Sequence, residues 1–196
     1  MSLQNKRIGV GFTGSHCTYH LVFPQLQFLM DQGAEVVPIV TDTVKNEDTK
    51  FGKAKDHIAT IESITKKKVI STIQEAEPLG PKQPLDCMVV APLTGNSLSK
   101  IANAQTDNAV LMASKATLRN RSPVVLGIST NDALGLNGVN LMRLLSSKLM
   151  YFIPFGQDNP TKKPTSLVAN MDLLIPTVKS AIKNEQIQPI IIPYEK

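Results

Sequence analysis

The sequence contains no tryptophan, only three histidines and only two cysteines, Cys17 and Cys87, among 196 residues. Two cysteines are too few for a disulfide framework and read as reduced thiols of a cytoplasmic protein. Aromatic residues make up 5% of the chain, which leaves little stacking surface for single-stranded nucleic acid. No apolar run approaches the roughly 18 residues that a membrane-spanning helix needs. The apolar stretch near the start is short and broken by glycines, so no secretory leader is expected. One-sided charge is also absent from the first half, where residues 1–98 carry ten basic and ten acidic side chains. Residues 99–196 carry eleven and six, and the net charge of +5 arises there. The one basic run, Lys66-Lys67-Lys68, abuts a predicted helix end, where cations meet the helix dipole and water. Nucleic acid is not the expected partner; a mild positive bias suits small anions.

What is present is enough apolar material for a core: 42% hydrophobic residues against 19% charged. Short β-branched runs alternate with longer amphipathic stretches. The runs are Arg7–Phe12, Glu35–Val40, Val69–Ile73, Leu85–Ala91, Val124–Ile128 and Met150–Ile153. They are nearly continuous in Val, Ile and Met, the pattern of strands buried on both faces. Helices are predicted over Leu21–Gln32, Phe51–Thr65, Leu98–Ala104, Ala109–Arg119, Val139–Ser147 and Ser166–Ile182. Gly33 is placed to end the first helix, and Thr165 or Ser166 to cap the last. This alternation predicts a doubly wound, three-layer α/β sandwich of Rossmann-like type. Its sheet is mostly parallel, with about six strands. One domain is expected over 1–196, with Glu77–Pro84 a loop and 185–196 a C-terminal tail. The proline-flanked apolar stretch Gln188–Tyr194 in that tail suggests a covered surface and a homo-oligomer.

Ligands of open α/β sheets bind beyond the C-terminal strand ends, so the loops there carry the chemistry. Gly9–Gly14 spells G-x-G-x-x-G, the dinucleotide pattern. Only Arg7 and Ile8 precede Gly9 in the strand, however, and Asp42 lies too far on to be the ribose-binding acid. A better parse runs the strand through both glycines and opens a loop at Thr13-Gly14-Ser15-His16. That loop reads as a cradle for a mononucleotide phosphate ahead of a helix, or as a plain tight turn. Thr41 follows the second strand. After Asp86–Val90 comes Ala91-Pro92-Leu93-Thr94-Gly95-Asn96-Ser97, where a hydroxyl- and amide-rich turn leads straight into a helix. Ser129-Thr130-Asn131 follows the fifth run.

The segment Ala91–Leu111, APLTGNSLSKIANAQTDNAVL, resembles the flavin-mononucleotide-binding flavoprotein family. That family includes phosphopantothenoylcysteine decarboxylases and flavin prenyltransferases. Its Pro-Ala-Ser-Ala-Asn-Thr turn is matched here by Pro92-Leu93-Thr94-Gly95-Asn96-Ser97. Ser114–Leu126 and Asn140–Phe155 are more similar to the prenyltransferase branch. Gly11–Pro24, Phe51–Ala54 and Ser129–Leu144 resemble a flavoprotein-like subunit of a two-component synthase from endospore-forming bacteria. The resemblance implies FMN as cofactor and Thr13, Gly14, Ser15, His16, Thr41, Pro92, Thr94, Gly95, Asn96, Ser97, Ser129, Thr130 and Asn131 as its contacts. It implies, with an NAD(P)-binding partner subunit, oxidation of a small dihydropyridine dicarboxylate during sporulation. The alternatives are a non-catalytic nucleotide-binding subunit or a stand-alone prenyltransferase- or decarboxylase-like enzyme. Ser71–Asp86 holds no counterpart of the decarboxylases' histidine, and Ser129-Thr130 stands where prenyltransferases place an arginine. Neither chemistry carries over.

His16 and Asn96 are the candidate catalytic residues. His16 and His20 are spaced i, i+4, but no third ligand follows, so no metal is expected. Cys87 reads as a core thiol, and His57 as a solvated helix residue.

Overall fold

The computed structural model describes residues 2–193. The four central strands are β1 (Arg7–Phe12), β2 (Glu35–Val40), β3 (Cys87–Leu93) and β4 (Val124–Thr130). The first residues of β1 and β2 are the only ones of the four strands that lean to solvent before the C-terminal Thr130. Burial on both faces is what their uninterrupted Val, Ile and Leu content demands. Three short strands complete the sheet: β5 (Met150–Phe152), β6 (Phe155–Gly156) and β7 (Leu167–Ala169). The order is β2-β1-β3-β4-β7-β6, and β5 also pairs with β4. Pairings among β1 to β5 are parallel, whereas β7 runs antiparallel to both β4 and β6. The sheet has seven strands where about six were expected.

Helices flank this sheet: α1 (Tyr19–Asp31), α2 (Asp42–Asn46), α3 (Ala54–Thr65), α4 (Ile73–Ala76), α5 (Gly95–Ala102), α6 (Ala109–Arg119), α7 (Gly138–Leu145) and α8 (Leu174–Ala181). Gly33, at φ +79°, ends α1 as its position suggested. Among the described residues, no helix is long and apolar enough to cross a membrane.

Gly9 and Gly11 lie inside β1, and packing explains them. A Cβ on Gly9 would come within 2.6 Å of Leu85 Cδ1, and one on Gly11 within 2.7 Å of Met88 Cε. The glycines let core side chains close over the strand, and no phosphate turn begins at either.

Two expected elements differ. Val69–Ile73 is not a strand: Ile70 alone bridges Ile39, and the chain then turns into α4. Thr72 and Glu75 form a capping box, and Glu75 also accepts from the Ser71 amide, so the helix signal wins at once. Ser166–Ile182 is not one helix. Leu167 and Ala169 are buried and Val168 is not, a strand alternation, and Asn170 caps a 3₁₀ turn that precedes α8. Thr165 and Ser166 therefore cap no helix. The tail also has a role within its own chain. The Phe155 amide donates to Ile190 O at 3.0 Å, and the Ile192 amide to Phe155 O at 3.0 Å. Tyr194, the end of the predicted apolar stretch, lies outside the described residues.

Candidate functional site

The loops after β1, β2, β3 and β4 meet at one edge of the sheet because all four strands point the same way. Thr13, 1% exposed, ties two of them together. Its hydroxyl donates to Pro92 O at 2.7 Å and accepts from the Thr94 amide at 2.9 Å. Ser15 ties the first loop to the fourth, donating to Ser129 O at 2.7 Å, and the Thr18 and Ser129 hydroxyls are 2.6 Å apart. Tyr19 closes the base. Its phenol donates to Thr13 O at 2.9 Å, and burial pushes its pKa well above the ordinary value.

Two clefts flank this junction and share Thr94 in their walls. The first, of about 480 Å³, is lined by Ser15, Cys17, Thr94, Gly95, Ser129–Asn131 and the β6–β7 strap through Asp158, Lys163 and Ser166. The second, of about 350 Å³, is lined by Gly14, Thr41–Thr43, Thr94, Asn96, Ser97, Lys100, Asp107 and Asn108. Both volumes fall in the range of about 300–1,000 Å³ usual for small-ligand sites.

The second cleft is built for an anion. Thr94 caps α5, its hydroxyl accepting from the Ser97 amide at 3.2 Å, so the positive end of that helix opens toward the cleft. Lys100 enters the same wall, held 2.6 Å from Asp107. Thr41 Oγ1 is buried without a hydrogen-bond partner, a costly state for a hydroxyl unless a ligand supplies one. Among the described residues, the amides of Gly14, Ser15 and His16 likewise find no protein acceptor. These groups fit the phosphate and polyol portion of a mononucleotide.

In the first cleft the polar wall is pre-ordered. Thr130 donates to Asp132 Oδ1 at 2.6 Å, and Asn137 to Asp132 Oδ2 at 2.7 Å. Gly95 fits against this network, since a Cβ there would lie 2.5 Å from Asp132 Oδ1. Asp158 is pushed up by burial, but hydrogen bonds from Ser166 and Lys163 outweigh that and hold it below the ordinary carboxylate value. Lys163 Nζ is 3.1 Å from it.

Gly14, Ser15, Thr41, Thr94–Ser97 and Ser129–Asn131 all face one cleft or the other, whereas Thr13 and Pro92 brace the loops from beneath. The His16 ring turns inward, Nδ1 donating to Gly14 O at 3.0 Å, and Nε2 is buried without a partner. It packs 5.0 Å from the Tyr19 ring and 5.6 Å from the His57 ring, in neither cleft wall. His57 is not solvated either, being 8% exposed. Gly52 makes room for it, since a Cβ there would lie 2.9 Å from His57 Nε2. Burial, then the neighbouring His16, lowers the His57 pKa. Sequence reasoning missed Asp158 and Lys163, because the strap that carries them precedes a segment read as helix. Lys100 and Asn108 were missed as well, although a cation in the helix after β3 and an asparagine capping the next helix were signals that could have found them.

The Flavoprotein family profile matches residues 1–159. The dipicolinate synthase B subunit of Bacillus subtilis (strain 168) is 62% identical over 191 residues, which is 97% of this chain and 96% of that protein. The crystal structure of the dipicolinate synthase B subunit from Bacillus halodurans C superposes with a TM-score of 0.91 at 57% identity, covering 98% of this chain and 99% of its own. An FMN-dependent cysteine decarboxylase, SpaF, shares the fold alone: TM-score 0.66 and 17% identity, over 93% of this chain and 98% of its own. The chain is a homologue of dipicolinate synthase B subunits and belongs to the Flavoprotein family.

Proposed function

We propose that this chain is the flavin-binding subunit of a dipicolinate synthase and acts in sporulating cells with an NAD(P)-binding partner, the synthase's A subunit. The observation that carries the reading is the second cleft, where a buried, unpartnered Thr41 hydroxyl and Gly14 share a wall with the N-terminal residues of α5. The likeness to dipicolinate synthase B subunits along nearly the whole chain supports the assignment.

In this reading Thr41, the Gly14–His16 amides and Lys100 hold the FMN phosphate and ribityl chain. Thr94–Ser97 and Ser129–Asn131 border the ring at the junction of the clefts. In the same reading the first cleft takes the dihydropyridine dicarboxylate, with Lys163, paired to Asp158, as the cation of its wall. When bound, the flavin would supply a two-electron acceptor for oxidation of the dihydropyridine ring to the aromatic dicarboxylate. Asn96, exposed at the start of α5 in the wall of the second cleft, borders the flavin in this reading. A second reading, a subunit that binds nucleotide without chemistry, is favoured by one observation: the only histidine of the β1 loop before α1 turns its ring out of both clefts.

Thr41→Val tests the site. Removing an orphaned hydroxyl leaves apo-protein stability unchanged or slightly raised, whereas loss of its ligand bond lowers FMN affinity about tenfold. Titration by flavin fluorescence quenching reads the affinity. Absence of FMN binding by the wild type, or unchanged affinity in the variant, contradicts the cofactor assignment. Dipicolinate formation, followed by ultraviolet absorbance, is expected only when both chains are present. Full activity of the NAD(P)-binding partner without this chain would leave the second reading.

A further inference from the structure

Beneath the loop that follows β1 lies a cluster of rings that line neither cleft. Tyr19 packs 5.0 Å from His16, 5.0 Å from His57, 5.6 Å from Phe23 and 5.7 Å from Phe12. Two of these rings reach back to the loop. The Tyr19 phenol donates to Thr13 O at 2.9 Å, and His16 Nδ1 donates to Gly14 O at 3.0 Å. A carbonyl only accepts, so Nδ1 carries the His16 ring proton. Two successive carbonyls are thus held on the ring side of the loop.

The Thr13–Gly14 and Gly14–Ser15 peptides are trans, so in each the C=O and the N–H point in opposite directions. With Thr13 O and Gly14 O turned to the rings, the Gly14 and Ser15 N–H groups are both turned away from them. Neither amide has a protein acceptor among the described residues. Successive free N–H groups on one side of a loop make a concavity for an anion. Gly14 also shares the second cleft with Thr41, whose hydroxyl is buried and unpartnered.

We propose that His16 and Tyr19 are positioning residues for the cofactor. Their rings clasp two successive carbonyls, and this holds the Gly14 and Ser15 amides ready to donate to the phosphate of a flavin mononucleotide. The proposal rests on the cofactor reading above and assigns the core side chains that set up its phosphate subsite. The gain is preorganisation, since a loop free to rotate these peptides must be ordered on binding. The rings are themselves fixed: His16 packs against both Tyr19 and His57, and Gly52 leaves the room that His57 occupies. His16 Nε2 is buried without a partner, a cost that a phenylalanine would avoid. The bond from Nδ1 to Gly14 O is what a histidine adds here.

Fluorescence titration of the full-length chain with FMN and with riboflavin, which lacks the phosphate, tests the proposal. His16→Phe and Tyr19→Phe keep a ring in place and remove one donor each. Each weakens FMN binding about tenfold and changes riboflavin affinity by less than about twofold. His16→Asn, whose side-chain amide can donate to Gly14 O, recovers most of the loss. His57→Phe bonds no loop carbonyl and binds FMN as the wild type does. Phenylalanine variants at His16 and Tyr19 that bind FMN like the wild type overturn this proposal alone. So do variants that lose riboflavin to the same degree, because packing and not the phosphate subsite is then disturbed. A wild type that does not bind FMN overturns the cofactor reading and this proposal with it.

Discussion

Replacing Thr13 by valine keeps the side-chain shape and removes one hydroxyl, and the structure sets the cost. That hydroxyl bonds Pro92 O at 2.7 Å and the Thr94 amide at 2.9 Å, at a position 1% exposed. Each neutral hydrogen bond is worth about 1 kcal/mol net, and a buried group left without a partner costs about 1–3 kcal/mol. Pro92 is buried and its carbonyl has no ready access to water, whereas the Thr94 amide sits at a half-buried helix cap that water can approach. One full penalty and one partial one give about 2–4 kcal/mol. A chain of this size loses about 2–4 °C of Tm per kcal/mol, so Thr13→Val should melt roughly 5–15 °C lower. Thr13→Ser retains both bonds, loses only a methyl, and should cost about 1 kcal/mol. Because Thr13 fixes Thr94 relative to β1, the valine variant should also bind FMN at least tenfold more weakly. Differential scanning fluorimetry and flavin titration read the two effects. A valine variant melting within about 2 °C of wild type, or a serine variant equally damaged, would refute the bridging role.

Gly95→Ala places a methyl 2.5 Å from Asp132 Oδ1 and 2.7 Å from Thr130 Oγ1. The gain in helix propensity is outweighed, and a net loss of about 1–2 kcal/mol is expected in thermal or denaturant unfolding. His57 is buried with its pKa lowered from the ordinary 6.5, chiefly by desolvation and then by His16, with Asp56 opposing. The unfolded chain therefore takes up the proton more readily than the folded one. Stability is full above pH 6.5 and falls as pH drops below it, by at most about 1.4 kcal/mol per pH unit, and His57→Phe flattens that slope in melts taken between pH 7 and 5. Cys17 is exposed, while Cys87 is buried with its thiol pKa pushed far up. A maleimide should label one thiol per native chain, at Cys17 by peptide mapping, and both after denaturation.

The apolar runs that begin at Arg7, Glu35, Leu85 and Val124 specify the four central strands by local composition, since only a strand covered on both faces tolerates such continuity. The hydroxyl-rich turns after them follow from the same pattern, and so does their meeting at one edge, because parallel strands end together. Where two local signals competed, composition misled. Val69–Ile73 is β-branched, but the Thr72–Glu75 capping box claims its end. Ser166–Ala169 continues an amphipathic helix on paper, yet β4 and β6 recruit it as the antiparallel strand that brings Asp158 and Lys163 over the first cleft. Which polar groups would be spent and which left for a ligand was not legible either. Thr13 and Ser15 look alike in sequence as cradle residues. Thr13 is consumed by Pro92, 79 positions away, and Ser15 by Ser129, 114 positions away, while Thr41 is left unpaired. The inward turn of His16 likewise depends on Tyr19 and on a helix that brings His57 against it. Periodicity along the chain records which segments are buried; the partner of each polar atom is set by segments far apart in sequence, and only tertiary packing decides it.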